Sequence, residues 1–262
     1  MNTELSHLHA DRRPGIAPGE WVDTTTAKEI ADALDTAALL GAVAVVVGPS
    51  GVGKSAAVKH YADTRENSFV ATISAAERGM VPALVCIATA MGLGYYRQYG
   101  AKDMADRIRA TMRDGAVLIV DNAEQLPADV LILLGSFTDA TRAARGGAIA
   151  LVGREKLHPA IFGGARSSAR QDMNWLESRV SRMLCIKGVP SDDVAAFADS
   201  YGVHDEEARA LLQEIAARPS APNMLWALTR VLRFTHAQGK GRAVRAAHVR
   251  QAAAALGHRV VG

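Results

Sequence analysis

The stretch "GPSGVGKS", residues 48–55, sets glycines, a lysine and a serine in the order G-x-x-x-x-G-K-S. That order suits one kind of chemistry. Gly48, Pro49, Ser50, Gly51, Val52 and Gly53 let the backbone curl until its amides surround a phosphate. The amides of Lys54, Ser55 and Ala56, at the start of a following helix, complete the cradle. Lys54 then reaches the β- and γ-phosphates of a nucleoside triphosphate, and the Ser55 hydroxyl is a ligand for Mg²⁺. The alternative, a plain glycine turn, leaves the lysine and serine without a job.

A second stretch, "VLIVDNAEQL" at residues 117–126, ends an apolar run on Asp121. A carboxylate at the tip of a buried strand belongs in the Mg²⁺ shell, although an acid there can also cap a following helix. Many nucleotide hydrolases place a glutamate directly after this aspartate, to activate water. Here the next residue is Asn122, and the next carboxylate is Glu124. An amide can orient a water but cannot take its proton. Glu124 serves as a displaced base if the chain turns after Asp121; otherwise it is an exposed acid at a helix start. The expectation is a triphosphate that is bound, and hydrolysed slowly or only with a partner's help.

The elements that must position these groups follow from periodicity. "AVAVVV", "FVATIS", "AVLIVD", "AIALVG" and "MLCIKG" read as strands, most of them continuous apolar runs of the kind buried on both faces. Helical patterns lie before and between them, in "TTTAKEIADALDTAALLG", "SAAVKHYADTR", "VPALVCIATAMG", "AKDMADRIRATMRDG" and "DVLILLGSFTDATRAAR". Alternation of this kind means an α/β fold, a parallel sheet covered by helices on both faces. Past Pro190 four helical patterns follow without a strand. The expected organisation is a flexible arm over residues 1–19, an α/β nucleotide-binding domain over 20–189 and a small all-helical domain over 190–262.

Composition excludes several classes. At 49% hydrophobic and 22% charged the chain is ordinary for a globular protein. No apolar run at the N-terminus resembles a signal peptide, and the run "AALLGAVAVVVG" is too short to cross a bilayer. Cys86 and Cys185 lack metal-ligand spacing and read as two reduced core thiols, which points to the cytoplasm. The eight histidines show no paired spacing, so no metal beyond Mg²⁺ is expected. Net charge is only +3, yet residues 219–262 contain seven Lys or Arg and no Asp or Glu, leaving −4 on the rest. Such a segment either binds a polyanion, nucleic acid before membrane, or is a solvated basic helix face. Arg242 and Arg245 belong to it. Arg78, and Arg97 with Lys102 beside Tyr95 and Tyr96, are further candidates for phosphate contact, the tyrosines serving either base stacking or helix packing.

"WVDTTTAKEI", "GPSGVGKS", "VLIVDNAEQL", "IALVGREKL" and "WLESRVSRML", in this order and followed by a helical tail, resemble the AAA+ ATPases. More narrowly, the chain resembles the MuB-like branch, the target-selection ATPases of transposable phages, with their TniB and TnsC relatives. The resemblance covers roughly residues 20–256. It implies a P-loop AAA+ sheet with a helical lid, and an ATP-assembled filament or ring that binds duplex DNA without sequence preference and presents it to a transposase. It also implies roles. Arg179 would reach the γ-phosphate bound by a second copy, with Arg182 as the alternative. Arg154 takes the sensor position where relatives commonly carry Asn. Asn223 is the nearest polar residue to the lid-sensor position, where an arginine is missing. Phage members carry an N-terminal helix-turn-helix domain that the residues before Trp21 cannot hold, so DNA contact is expected from the body and the basic tail. Readings from other classes are an ATPase of the ExeA-like secretion or signalling type, acting on protein; a nucleotide-switched scaffold without turnover; and a small P-loop kinase.

Overall fold

Val43–Val47 (β1), Val117–Asp121 (β3) and Ala148–Gly153 (β4) are aliphatic apart from the terminal Asp121 and Gly153, and every residue in them is buried. Strands of that kind need a neighbour on each edge and a layer over each face. The computed structural model supplies both. It describes residues 21–94, 100–112, 115–142, 147–163, 168–217, 231–233 and 244–257. Ser68–Thr72 (β2) and Val180–Cys185 (β5) complete a five-stranded, wholly parallel sheet in the order β2-β3-β4-β1-β5.

Thr25–Leu40 (α1) precedes the sheet, and Lys54–Thr64 (α2) joins β1 to β2. Met80–Ala90 (α3) and Ala101–Met112 (α4) lead to β3, and Ala128–Arg142 (α5) leads to β4. Leu157–Phe162 (α6) and Ser168–Glu177 (α7) connect β4 to β5. Alternate strand residues, among them Val45, Leu118, Val120 and Leu151, share one core with Leu84, Ile108, Phe137 and Leu176 from the helices. The intervening residues Val46, Ile119 and Val152 point to the other face and are equally buried.

β5 starts earlier than the apolar run "MLCIKG" indicated. It pairs with β1 from Val43↔Val180 to Val47↔Cys185, with a register shift where Ser181 Oγ donates to the Val43 carbonyl at 3.2 Å. As an edge strand it leaves Arg182 exposed, so its first half carries no apolar signature. Cys185 is likewise exposed rather than in the core, while Cys86 is half-buried and burial raises its pKa.

The chain divides into two compact units, Thr26–Gly188 and a second formed by Met1–Thr25 with Val189–Gly262. In the second, Ser191–Ser200 (α8), Glu206–Ala216 (α9) and Ala246–Ala255 (α10) gather Val194, Leu212, Ile215 and Val249 into a core of their own. Asp205 caps α9 by accepting the Ala208 N–H at 2.8 Å. Most of the third helical pattern, "PNMLWALTRVLRFTHAQG", lies outside the described residues.

Arg179 ties the last crossover to the sheet. Its Nε and Nη2 donate to both carboxylate oxygens of Asp139 on α5, at 2.8 and 2.9 Å. Nη1 donates to the Trp175 carbonyl at 2.9 Å, and the guanidinium stacks 3.4 Å from the Trp175 ring centroid. The backbone carbonyl accepts from Val43 N–H at 2.9 Å, at the start of β1. With the arginine side chain 15% exposed and Asp139 at 41%, solvent screens the pair in part. Arg179→Ala is therefore expected to cost about 1–2 kcal/mol, from the charge-assisted bonds and the ring contact together. A urea unfolding midpoint that does not move would contradict this.

Candidate functional site

Because the strands are parallel, their C-terminal ends meet along one edge of the sheet, and the predicted site residues collect there. The phosphate loop leaves β1 at Val47, where Gly48 N–H donates to the Gly153 carbonyl at 3.2 Å. Ile186 N–H donates to the Val47 carbonyl at 2.8 Å. A Cβ on Gly48 would lie 2.9 Å from both the Cβ and the carbonyl oxygen of Ile186, so this position admits no side chain. Gly51 and Gly53 have φ of +85° and +92°, in the left-handed region that favours glycine. Val52 is buried and pins the loop between them. Gly53 stands at the N-terminus of α2, with no side-chain cap and no acidic residue in the first turn. The free amides and the positive end of the helix dipole are thus left for an anion.

Lys54 is buried, and its Nζ donates to the carbonyls of Gly48 and Pro49, each at 2.7 Å. Burial lowers its pKa from the ordinary lysine value, against the opposing attraction of Asp121, Glu155 and Glu124. Ser55 and Ala56 are exposed on the first turn of α2. Ser55, the buried Asp121 and Asn122 line one cavity of about 550 Å³. A second cavity, of about 420 Å³, opens beside Gly48 and Pro49 and is lined by Glu155, His158 and Lys187.

The turn after Asp121 explains the asparagine. Asn122 has φ 58° and ψ 36°, a left-handed conformation that asparagine tolerates and most side chains do not. Its N–H donates to Asp121 Oδ1 at 3.0 Å, and its Nδ2 donates to the Ile73 carbonyl just past β2, at 3.1 Å. The amide is an anchor between two strand ends. Behind it, Ala123–Gln125 form a 3-10 turn.

Glu124 is not the exposed acid of the alternative reading, since its side chain is only 3% exposed. Its Oε1 accepts from Arg154 Nε at 2.7 Å and its Oε2 from Arg154 N–H at 3.2 Å. Gly153 makes this approach possible, because a Cβ there would fall 2.5 Å from Glu124 Oε2. The sequence reading gave Gly153 no role, although "LVGRE" contains it. Arg154 itself is 51% exposed, so the pair has one wet member and one dry one.

The remaining candidates are scattered. Arg179 is engaged with Asp139 and Trp175 of its own chain. Arg182, the alternative, is exposed on β5, and its side chain makes no hydrogen bond or ion pair among the described residues. Arg78 is exposed, with Nε and Nη2 on Gln125 Oε1 at 3.0 and 2.6 Å. Lys102 is paired with Asp106 at 2.8 Å on α4. Arg245 is exposed at the N-terminus of α10, its backbone N–H on His248 Nδ1 at 3.2 Å. Of the other arginines in the basic segment, Arg250 pairs with Glu207. Arg97, Asn223 and Arg242, with Tyr95 and Tyr96, lie outside the described residues.

Comparison with known proteins places this arrangement. Residues 40–161 match the family model of an AAA domain, and residues 178–256 match that of the C-terminal part of Mu B transposition protein. The chain is 32% identical over 236 residues to the ATP-dependent target DNA activator B of Escherichia phage Mu, covering 90% of this chain and 73% of that protein. The chain belongs to the Mu B transposition protein family. Another member, the Mu-like prophage FluMu DNA transposition protein B of Haemophilus influenzae, is 30% identical over 74% of this chain and 66% of its own length. Among solved structures, Cdc6p from Pyrobaculum aerophilum superposes with a TM-score of 0.64 at 16% identity, covering 90% of this chain and 69% of that one. The Aeropyrum pernix ORC1 protein, solved in complex with DNA, gives 0.59 at 15% identity, covering 95% and 68%. These two likenesses concern the fold alone, a P-loop AAA sheet with a helical C-terminal part. Among the described residues no helix is long and apolar enough to cross a membrane.

For this Mu B family member the left-handed turn yields a direct expectation. Asn122→Glu should destabilise the chain by about 1–2 kcal/mol, because a longer side chain is held at positive φ and the bond to Ile73 is lost. Asn122→Gly should cost less. Equal thermal stability of Asn122→Glu and the parent would refute the conformational account.

Proposed function

We propose that the chain is an ATP-dependent, sequence-independent DNA-binding ATPase of transposition, which assembles with copies of itself and presents target DNA to a transposase. The observation that carries the reading is the uncapped N-terminus of α2 behind a glycine loop packed too tightly on Ile186 to hold a side chain. Such a cradle fits a triphosphate. The names of the Mu and FluMu relatives, a target DNA activator and a transposition protein, support the choice of DNA and transposition.

In this reading the amides of residues 51–55 hold the β-phosphate, and Lys54 turns from the Gly48 and Pro49 carbonyls toward the γ-phosphate. Ser55 and Asp121 would hold Mg²⁺, whose charge, shared with the phosphates, eases departure of the γ-phosphoryl group. Glu124 takes the proton of the attacking water as the bond to the β-phosphate oxygen breaks. For that it must first leave Arg154. An arginine from a second copy, Arg179 or its alternative Arg182, completes the charge around the γ-phosphate. Arg78, Lys102 and Arg245 contribute phosphate contacts that weaken as salt rises. The cytoplasm suits each of these steps.

Lys54→Ala is expected to abolish ATP-dependent self-association and DNA retention together, as read by light scattering and a gel-shift assay. Loss of one without the other would refute the link. A second reading, a nucleotide-switched scaffold without turnover, is favoured by the Glu124–Arg154 pair, which keeps the candidate base occupied. Steady-state phosphate release separates the two. Slow release by the parent, abolished in Glu124→Gln with ATP uptake retained, supports the enzyme; no release by the parent supports the scaffold.

A further inference from the structure

The turn that carries Glu124 is tethered on two sides. Its ends are fixed, since Ala123 is fully buried and Leu126 nearly so. Between them, adjacent side chains point to different neighbours. Glu124 reaches β4 and is held by Arg154, while Gln125 reaches the segment after β2 and accepts both of Arg78's hydrogen bonds on a single oxygen. That segment is itself braced. Ser74 N–H donates to Glu77 Oε2 at 2.8 Å, Ala76 N–H donates to Ser74 Oγ at 3.2 Å, and Asn122 Nδ2 holds the Ile73 carbonyl. Two side-chain bonds, Asn122 to Ile73 and Arg78 to Gln125, therefore couple an exposed arginine to the carboxylate proposed as the base.

We propose that Gln125 is a positioning residue through which DNA controls Glu124. Arg78 holds the turn at rest by its bonds to Gln125, and a DNA phosphate that takes Arg78 releases the turn, so that Glu124 can part from Arg154. The inference rests on the reading above of Glu124 as base and Arg78 as a phosphate contact. The competition favours DNA on chemical grounds. A guanidinium bound to one neutral amide oxygen exchanges it for two anionic oxygens in fork geometry, an ion pair in place of an ion–dipole contact, and the two parallel bonds add energy and geometric specificity. The resting contact is thus strong enough to order the turn and weak enough to be displaced. Arg154 holds the other end through Gly153, where the missing side chain admits the carboxylate.

The test uses the full chain and two substitutions with opposite signs. Gln125→Leu keeps the volume but cannot accept, so it mimics the released turn. DNA-free phosphate release should rise about 2- to 10-fold, the factor equivalent to one ordinary hydrogen bond, and further stimulation by duplex DNA should shrink toward none. DNA affinity should hold or tighten, because Arg78 is freed. Gln125→Glu gives Arg78 a charged partner; DNA-free release should stay low, stimulation should fall, and DNA affinity should weaken. General damage to the turn would move both variants the same way, which would overturn the proposal, as would an unchanged stimulation ratio in Gln125→Leu. A parent that binds ATP and duplex DNA, yet releases phosphate at the same rate with and without DNA, also overturns it while leaving the DNA-binding reading intact. A parent that shifts no DNA defeats both.

Discussion

Gly48 can carry no side chain, and the rest of the site depends on that. Its Cα sits against Ile186 where β5 ends, and its N–H bonds to Gly153 where β4 ends. The first residue of the phosphate loop is thereby locked between two strand tips, and the amides of the following turn take their direction from it. Lys54 extends the same constraint, since its ammonium is buried against the loop's own carbonyls rather than waving in solvent. Few degrees of freedom remain to be lost when an anion arrives, which is what preorganisation means for affinity.

Around this rigid cradle the neighbouring polar side chains are held by one another. Glu124 is nearly dry and held from two directions by Arg154, and the amide beside Asp121 is tied to Ile73. The relatives in the Mu B family are named for target DNA activation and for transposition.

Much of this was legible in the residues. β1, β3 and β4 are continuous apolar runs because both of their faces are covered, and the glycine loop announces its ligand by composition alone. What stayed hidden depends on partners far along the chain. Nothing local in "LESRVSR" says that Arg179 will find Asp139, forty positions earlier. The first half of β5 was missed because an edge strand need not be apolar, and Arg182 sits in it. Asn122 occupies a left-handed turn that asparagine tolerates, a constraint that its neighbours in "VLIVDNAEQL" do not announce. The pairing of Glu124 with Arg154 required Gly153, whose role is purely steric.

The loop after β1 is shaped to grip a nucleoside triphosphate because Gly48 is packed bare against Ile186. Isothermal titration of ATP with Mg²⁺ into the parent and into Gly48→Ala tests it most directly. The parent should take up one ATP per chain with saturable heat, and the alanine form, with folding checked by circular dichroism, should take up none or bind at least about tenfold more weakly, as a loop displaced from its amide geometry requires. Equal uptake by the two proteins, or none by the parent, would contradict the account.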